Sequence, residues 1–120
     1  MKDIKATNPQ LIELIKFLRK KSRENKAKIW RAIAEDLAKP RRRRIVVNIS
    51  RLNRYTNEND VVVVPGKVLG AGEIDHPIMV AAFSFSKKAR EKIERASGKC
   101  LTIMELVENN PKGSNVKIIG

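Results

Sequence analysis

Apolar residues recur at two different periods along this chain, and the change of period marks its elements. Leu11, Leu14, Ile15 and Leu18 share one helical stripe. Asn8-Pro9 before them reads as an N-cap followed by proline at the first helical position. A first helix is predicted over about 9–22, with Lys16, Lys20 and Arg23 on the side away from the stripe. Asn25 breaks the pattern, and Ile29, Trp30, Ile33, Ala34 and Leu37 make a second stripe with Lys28 and Arg31 facing away. The second helix is predicted over roughly 27–38, because Pro40 forbids continuation and biases Lys39 out of the helix.

Beyond Pro40 the apolar runs shorten. Ile45-Val46-Val47 is a β-branched strand, and Asn48 is placed to cap a short helix with Ile49, Leu52 and Tyr55. The continuous valine run at 61–64 predicts a strand buried on both faces, ended by Pro65-Gly66. A glycine-bearing connection follows, with room for a short strand at 67–69. A strand is predicted over 78–85, then a helix capped by Ser86 and stopped by Gly98 as a left-handed residue. Cys100-Leu101 is a short strand, Thr102 and Glu105 form a capping box, and residues 116–119 suit a last strand. Three strands thus run straight into helices, at Val47-Asn48, Phe85-Ser86 and Leu101-Thr102. Such joins favour a compact, partly parallel α/β core over a barrel. The predicted class is irregular α/β with an N-terminal two-helix segment. The expected organisation is one domain over 1–120, with a basic helical segment at 1–40 and an α/β core at 41–120.

Charge changes this picture most. The 120 residues hold 26 Lys and Arg against 13 Asp and Glu, a net charge of +13. The surplus is uneven: residues 1–54 carry 17 basic and 5 acidic side chains, residues 55–120 carry 9 and 8. A basic excess of this size points to a polyanion, most often nucleic acid. Aromatics make up 4% of the residues, which argues against a membrane-surface helix with large apolar anchors. The same scarcity argues against proteins that read single strands on aromatic platforms. No apolar run is long enough for a transmembrane helix, and Met1-Lys2-Asp3-Ile4-Lys5 lacks the apolar core of a secretion signal.

Catalytic and cofactor motifs fail on inspection. Gly66-Lys67 lacks the preceding glycine and following Ser/Thr of a phosphate loop. Gly70-Ala71-Gly72 puts Asp75 where a dinucleotide fingerprint needs its third glycine. One cysteine and one histidine exclude an internal disulfide and the usual zinc sites. Cys100 reads as a small core residue, His76 as a loop residue, Trp30 as core and Phe17 as flanking it. No cofactor, metal, small-molecule substrate or catalysis is expected.

The basic residues are the candidate site. Arg41, Arg42, Arg43 and Arg44 lie between a helix and a strand, and arginine forks onto phosphate where lysine acts as a point charge. Arg51 and Arg54 follow one helical turn apart. With Lys16, Arg19, Lys20 and Arg23 on the first helix, Lys28 and Arg31 on the second, and Lys67, they are read as one RNA-binding surface.

Three segments carry a family resemblance. They are the run from Lys67 through Leu69-Gly70-Ala71-Gly72 to Glu73, then Phe85-Ser86-Lys87-Lys88-Ala89, then Ile93-Glu94-Arg95-Ala96-Ser97-Gly98. They resemble the shared core of two large-subunit ribosomal protein families, the bacterial-type protein numbered fifteen and the archaeal and eukaryotic eighteen-e. Asn8-Pro9, Ile29-Trp30-Arg31, Leu37, Pro40-Arg41 and Val47-Asn48-Ile49 are similar to eighteen-e. The long glycine- and arginine-rich arm of the fifteen family is missing, and the compact length suggests an archaeal form. The resemblance spans essentially the whole chain. It implies a β-β-α superhelical fold and a structural place in the large subunit of the cytoplasmic ribosome, among ribosomal RNA and neighbouring proteins. The alternative is a helix-turn-helix DNA-binding module formed by the two N-terminal helices, although only Lys28 and Arg31 face outward on the second.

Overall fold

The structure is a computed structural model and describes residues 8–39 and 45–120. The elements in chain order are α1 (Pro9–Asn25), α2 (Lys28–Leu37), β1 (Ile45–Asn48), α3 (Ile49–Tyr55), β2 (Val61–Leu69), β3 (Met79–Phe85), α4 (Lys87–Arg95), β4 (Lys99–Thr102), α5 (Ile103–Asn109) and β5 (Val116–Ile118). The strands form one parallel sheet in the order β1-β2-β3-β4. β5 pairs with β2 at 61–63 and β1 pairs with it at 66–69, so the two short strands follow each other along one edge.

The valine run explains the central place of β2. Val62 and Val64 point into one apolar cluster and Val63 into another, which takes both faces of the strand out of water. α1, α2 and α5 cover the Val63, Ala81 and Leu101 face; α3 and α4 cover the Val62, Val80 and Ala82 face. The α/β reading is therefore correct. β2 and β3 are joined by an irregular connection at 70–78, not by a helix, so β2, β3 and α4 follow in β-β-α order.

Trp30 is fully buried, and its indole Nε1 donates to the Pro111 carbonyl at 2.7 Å. Truncating a tryptophan so placed costs roughly 3–5 kcal/mol. α2 is thereby tied to the loop after α5, 81 residues away in sequence. Both expected side-chain caps on the outer helices form. Asn8 accepts from the Gln10 and Leu11 amides, and Thr102 and Glu105 close a reciprocal capping box. Ser86 caps α4 by accepting from the Ala89 amide at 3.1 Å.

Three local expectations change. Pro65-Gly66 does not end β2, which runs on to Leu69. The pair sits at a register shift against β3 and between the segments that face β5 and β1, where a missing N–H breaks no ladder. A β-carbon on Gly66 would strike the Ile45 carbonyl, so glycine is what lets β1 close onto β2 there. At the end of α4, Ser97 is the left-handed residue (φ 67°), not Gly98. The Ser97 amide donates to Glu94 and the Gly98 amide to Ile93, a Schellman closure shifted by one residue. Asn48 makes no side-chain cap on α3; the Ser50 amide donates instead to the Ala71 carbonyl at 3.1 Å.

That contact explains the glycine connection. Gly72 has a φ of 96°, and Ser50 fills the space its side chain would need. Lys92 Nζ donates to the Gly70 and Gly72 carbonyls, so the connection is pinned between α3 and α4. The glycines serve close backbone packing and leave no phosphate cradle.

Candidate nucleic-acid interface

α1 turns its apolar stripe to the sheet, which leaves its other side to cations. Lys16, Lys20 and Arg23 are exposed there and Arg19 is half-buried. The helix ends at Lys26, in the left-handed conformation (φ 51°, ψ 42°), and α2 starts two residues later. The Ala27 amide closes this reversal on the Ser22 carbonyl at 3.1 Å. So short a join sets the polar flanks of the two helices on either side of one groove.

The groove has a volume of about 610 Å³ and is lined by Arg19, Ser22, Arg23, Lys26, Lys28, Arg31 and Glu35. Five cations meet one carboxylate, and that carboxylate is engaged by Arg31 Nε at 3.3 Å. Like charges gathered this closely raise a positive potential that an anion lowers. Lys26 is absent from the sequence-read surface. Its only signal is position: as the residue that reverses the chain between two basic helices, it must line the cleft between them.

The other cations fall elsewhere. Lys16 and Lys20 lie on α1 outside the groove, and Lys20 pairs with Glu24 at 3.9 Å. Arg51 and Arg54 are exposed on α3, on the opposite face of the sheet from α1 and α2. Lys67 is exposed on β2, in register with Val46 and Ser84. Arg41, Arg42, Arg43 and Arg44 lie outside the described residues. Among the described residues, then, the structure brings together Arg19, Arg23, Lys28 and Arg31 but does not gather every sequence-read cation into one surface.

The residues weighed for chemistry are held in structural roles. The Thr56 hydroxyl donates to the Leu52 carbonyl at 2.6 Å and meets His76 Nε2 at 2.7 Å, while His76 Nδ1 lies 2.8 Å from Asp75. Burial pushes the Cys100 thiol up to about 11, far from a reactive thiolate at neutral pH. Among the described residues no group of three His, Cys, Asp or Glu side chains is placed to hold a metal ion. Nor is any helix among them long and apolar enough to cross a membrane.

A parallel sheet between two helical layers, with a cation-lined groove on one of them, is the outline of a small basic α/β protein. Comparison with known proteins gives that class a family. The family model described as "Ribosomal protein 60S L18 and 50S L18e" matches residues 1–120, and the chain belongs to this ribosomal protein family. A protein of Methanothermobacter thermautotrophicus is 53% identical over 119 residues, covering 99% of this chain and 98% of that one. A second, from Methanococcus maripaludis, is 52% identical over 119 residues, covering 99% of each. A third, from Archaeoglobus fulgidus, is 49% identical over 116 residues, covering 97% of this chain and 99% of its own. All three are named large ribosomal subunit protein eL18.

Proposed function

We propose that this chain is a structural constituent of the large subunit of the cytoplasmic ribosome and binds folded ribosomal RNA through backbone phosphates. The observation that carries the reading is the groove between α1 and α2, where five cations converge on one carboxylate in the more basic half of the chain. Double-helical RNA presents phosphates and shape more than base edges, which suits many cations and few aromatics. The names of the archaeal relatives support the same place of work. In this reading Arg23, Lys28, Arg31 and Lys26 are the anchor, and Arg19 shapes it from the half-buried side. Lys16, Lys20, Arg51, Arg54, Lys67 and the four arginines at 41–44 add further phosphate contacts. The role is non-catalytic. The helical pair and the sheet share one apolar cluster, which supports treating 1–120 as one domain.

Two features weigh against the DNA-binding alternative. The outward side of α2 carries only Lys28 and Arg31 as cations, and the turn that joins α1 to α2 holds no glycine.

The test is affinity for large-subunit ribosomal RNA across a salt series. Each phosphate contact contributes about −0.9 to the slope, taking duplex DNA as guide, so Arg23→Gln/Lys28→Gln/Arg31→Gln is expected to flatten it by about two to three units. An unchanged slope in the folded triple variant overturns the groove as anchor. Equal affinity for duplex DNA and folded ribosomal RNA overturns the ribosomal reading.

A further inference from the structure

We infer that a second pocket, between α3 and β5, takes one unpaired nucleotide of the RNA, its base stacked on Tyr55. The inference rests on the RNA-binding reading and extends it from phosphates to a base.

Three observations meet there. First, Tyr55 is the chain's one tyrosine and is 51% exposed, and Ile118 beside it is 42% exposed. These are two of the three large apolar side chains left open among the described residues. Second, they line a pocket of about 420 Å³ with Arg51, Lys117, Ile119 and Gly120, room enough for a base and its sugar. Third, the pocket is already ordered around a cation. The Arg51 guanidinium lies over the Tyr55 ring at 5.1 Å, and its Nη2 donates to the Gly120 backbone oxygen at 3.1 Å.

The chemistry favours a nucleotide over an apolar peptide. Arg51, Arg54 and Tyr55 lie within about 100° of arc on α3, by helical arithmetic. A base resting on the ring or on the guanidinium plane therefore has cations within reach of its own phosphate. Proteins that hold unpaired bases stack them on aromatic rings and arginine planes in this way. An apolar partner side chain would instead leave Arg51 in the pocket, and Arg54 beside it on α3, without counter-charge. The pocket lies across the sheet from the α1/α2 groove, so its occupant is a different RNA segment from the one in the groove.

The experiment uses the full chain with large-subunit ribosomal RNA. Affinity, salt slope and base-specific chemical footprints are compared for the parent, Tyr55→Phe, Tyr55→Leu and Tyr55→Ala. Tyr55→Phe keeps the ring and is expected to bind as the parent does. Tyr55→Leu and Tyr55→Ala are expected to weaken binding about 5- to 100-fold, the range for one lost base stack, with no change of salt slope. Both should also expose one unpaired nucleotide that the parent protects. Leucine keeps the apolar bulk, so loss with Tyr55→Leu at unchanged circular dichroism assigns the effect to the ring. Parental affinity and footprint in Tyr55→Leu, with the parent's slope still steep, overturn the nucleotide and leave the pocket to a protein neighbour. A parent with no salt-dependent binding fails the RNA reading itself, which is a separable result.

Discussion

Two sets of cations in this protein have the same chemistry and opposite employment. Around α1 and α2, Arg23, Lys26, Lys28 and Arg31 line an open groove that holds a single carboxylate. In the later half, four cations are used up on the protein's own oxygens and rings. Lys92 serves two glycine carbonyls, Lys112 donates to the Asn25 carbonyl at 3.0 Å, Lys117 pairs with Asp60 at 2.8 Å, and Arg90 lies over Phe85 at 5.1 Å. Net charge counts both sets alike. What separates them is how much of the positive charge is spent before RNA arrives: the groove's cations have one carboxylate among them, held by Arg31, whereas each cation of the second set has an oxygen or a ring of its own.

The largest expected effect comes from the four arginines at 41–44, the chain's densest run of cations. Replacing Arg41, Arg42, Arg43 and Arg44 by glutamine should flatten the salt slope of ribosomal RNA binding by about two to four units if most of them meet phosphate. Binding titrations between low and moderate salt measure it. An unaffected slope beside a flattened one in the Arg23/Lys28/Arg31 variant would confine the interface to the groove.

Lys92 sharpens the contrast from the other side. Lys92→Met removes a charged donor from two carbonyls of a packed connection and should cost about 1.5–3 kcal/mol in denaturant unfolding. It should leave the salt slope of RNA binding where it was. A lost slope with stability intact would move Lys92 from the second set to the first.

Much of the fold was legible because its signals are local. Asn8-Pro9, Ser86 and the Thr102/Glu105 box announce helix starts through the hydrogen bonds of their own side chains, and those bonds form. The valine run announces a doubly buried strand in the same local way. What was not legible depends on distant neighbours. Pro65-Gly66 reads as a stop, yet the strand passes through it because β1 and β5 divide the edge of β2 at that point. Gly98 reads as a left-handed stop, yet Ser97 takes that conformation while Gly98 fits against the Ile78 backbone oxygen. The candidate site divides likewise. Helical periodicity placed Arg23, Lys28 and Arg31 outward, but only the two-residue reversal at Lys26 and Ala27 sets them around one groove. Nothing in the spacing of Arg51 and Lys28 shows that they lie on opposite faces of a sheet. The exposure of Tyr55 was equally hidden, since its stripe partners Ile49 and Leu52 are fully buried.

The helix-five cap offers a smaller test of the same separation between packing and binding. Thr102→Ala should lower stability by about 1 kcal/mol, read from the shift of the denaturation midpoint. RNA affinity should not change, because the box lies at the start of α5, away from both proposed RNA sites. An unmoved midpoint would mean that the box observed here adds nothing to helix five.

The smallest expected effect is the sharpest check on the comparison. Lys112→Gln/Lys117→Gln removes two positive charges, as many as half of the four arginines, and should change the salt slope by less than about one unit, the most that Lys117 can add from its place in the Tyr55 pocket. The reason is prior engagement: each ammonium group already holds an oxygen of the protein. Lys117 adds a signature of its own. Its hydrogen bond, with the Asn57 amide second, holds the Asp60 carboxyl below its ordinary 3.8. A carboxylate depressed in the folded state stabilises above its unfolded pKa, and that contribution is lost as pH falls through the folded value. Parent and Lys117→Gln should therefore differ in Tm at pH 7, and the gap should narrow as pH drops below about 3.8. A gap that persists in acid would mean that Lys117 stabilises by packing its stem, not by pairing with Asp60. A double variant that loses more slope than the four-arginine variant would put the RNA on the later half, and the two sets of cations would exchange roles.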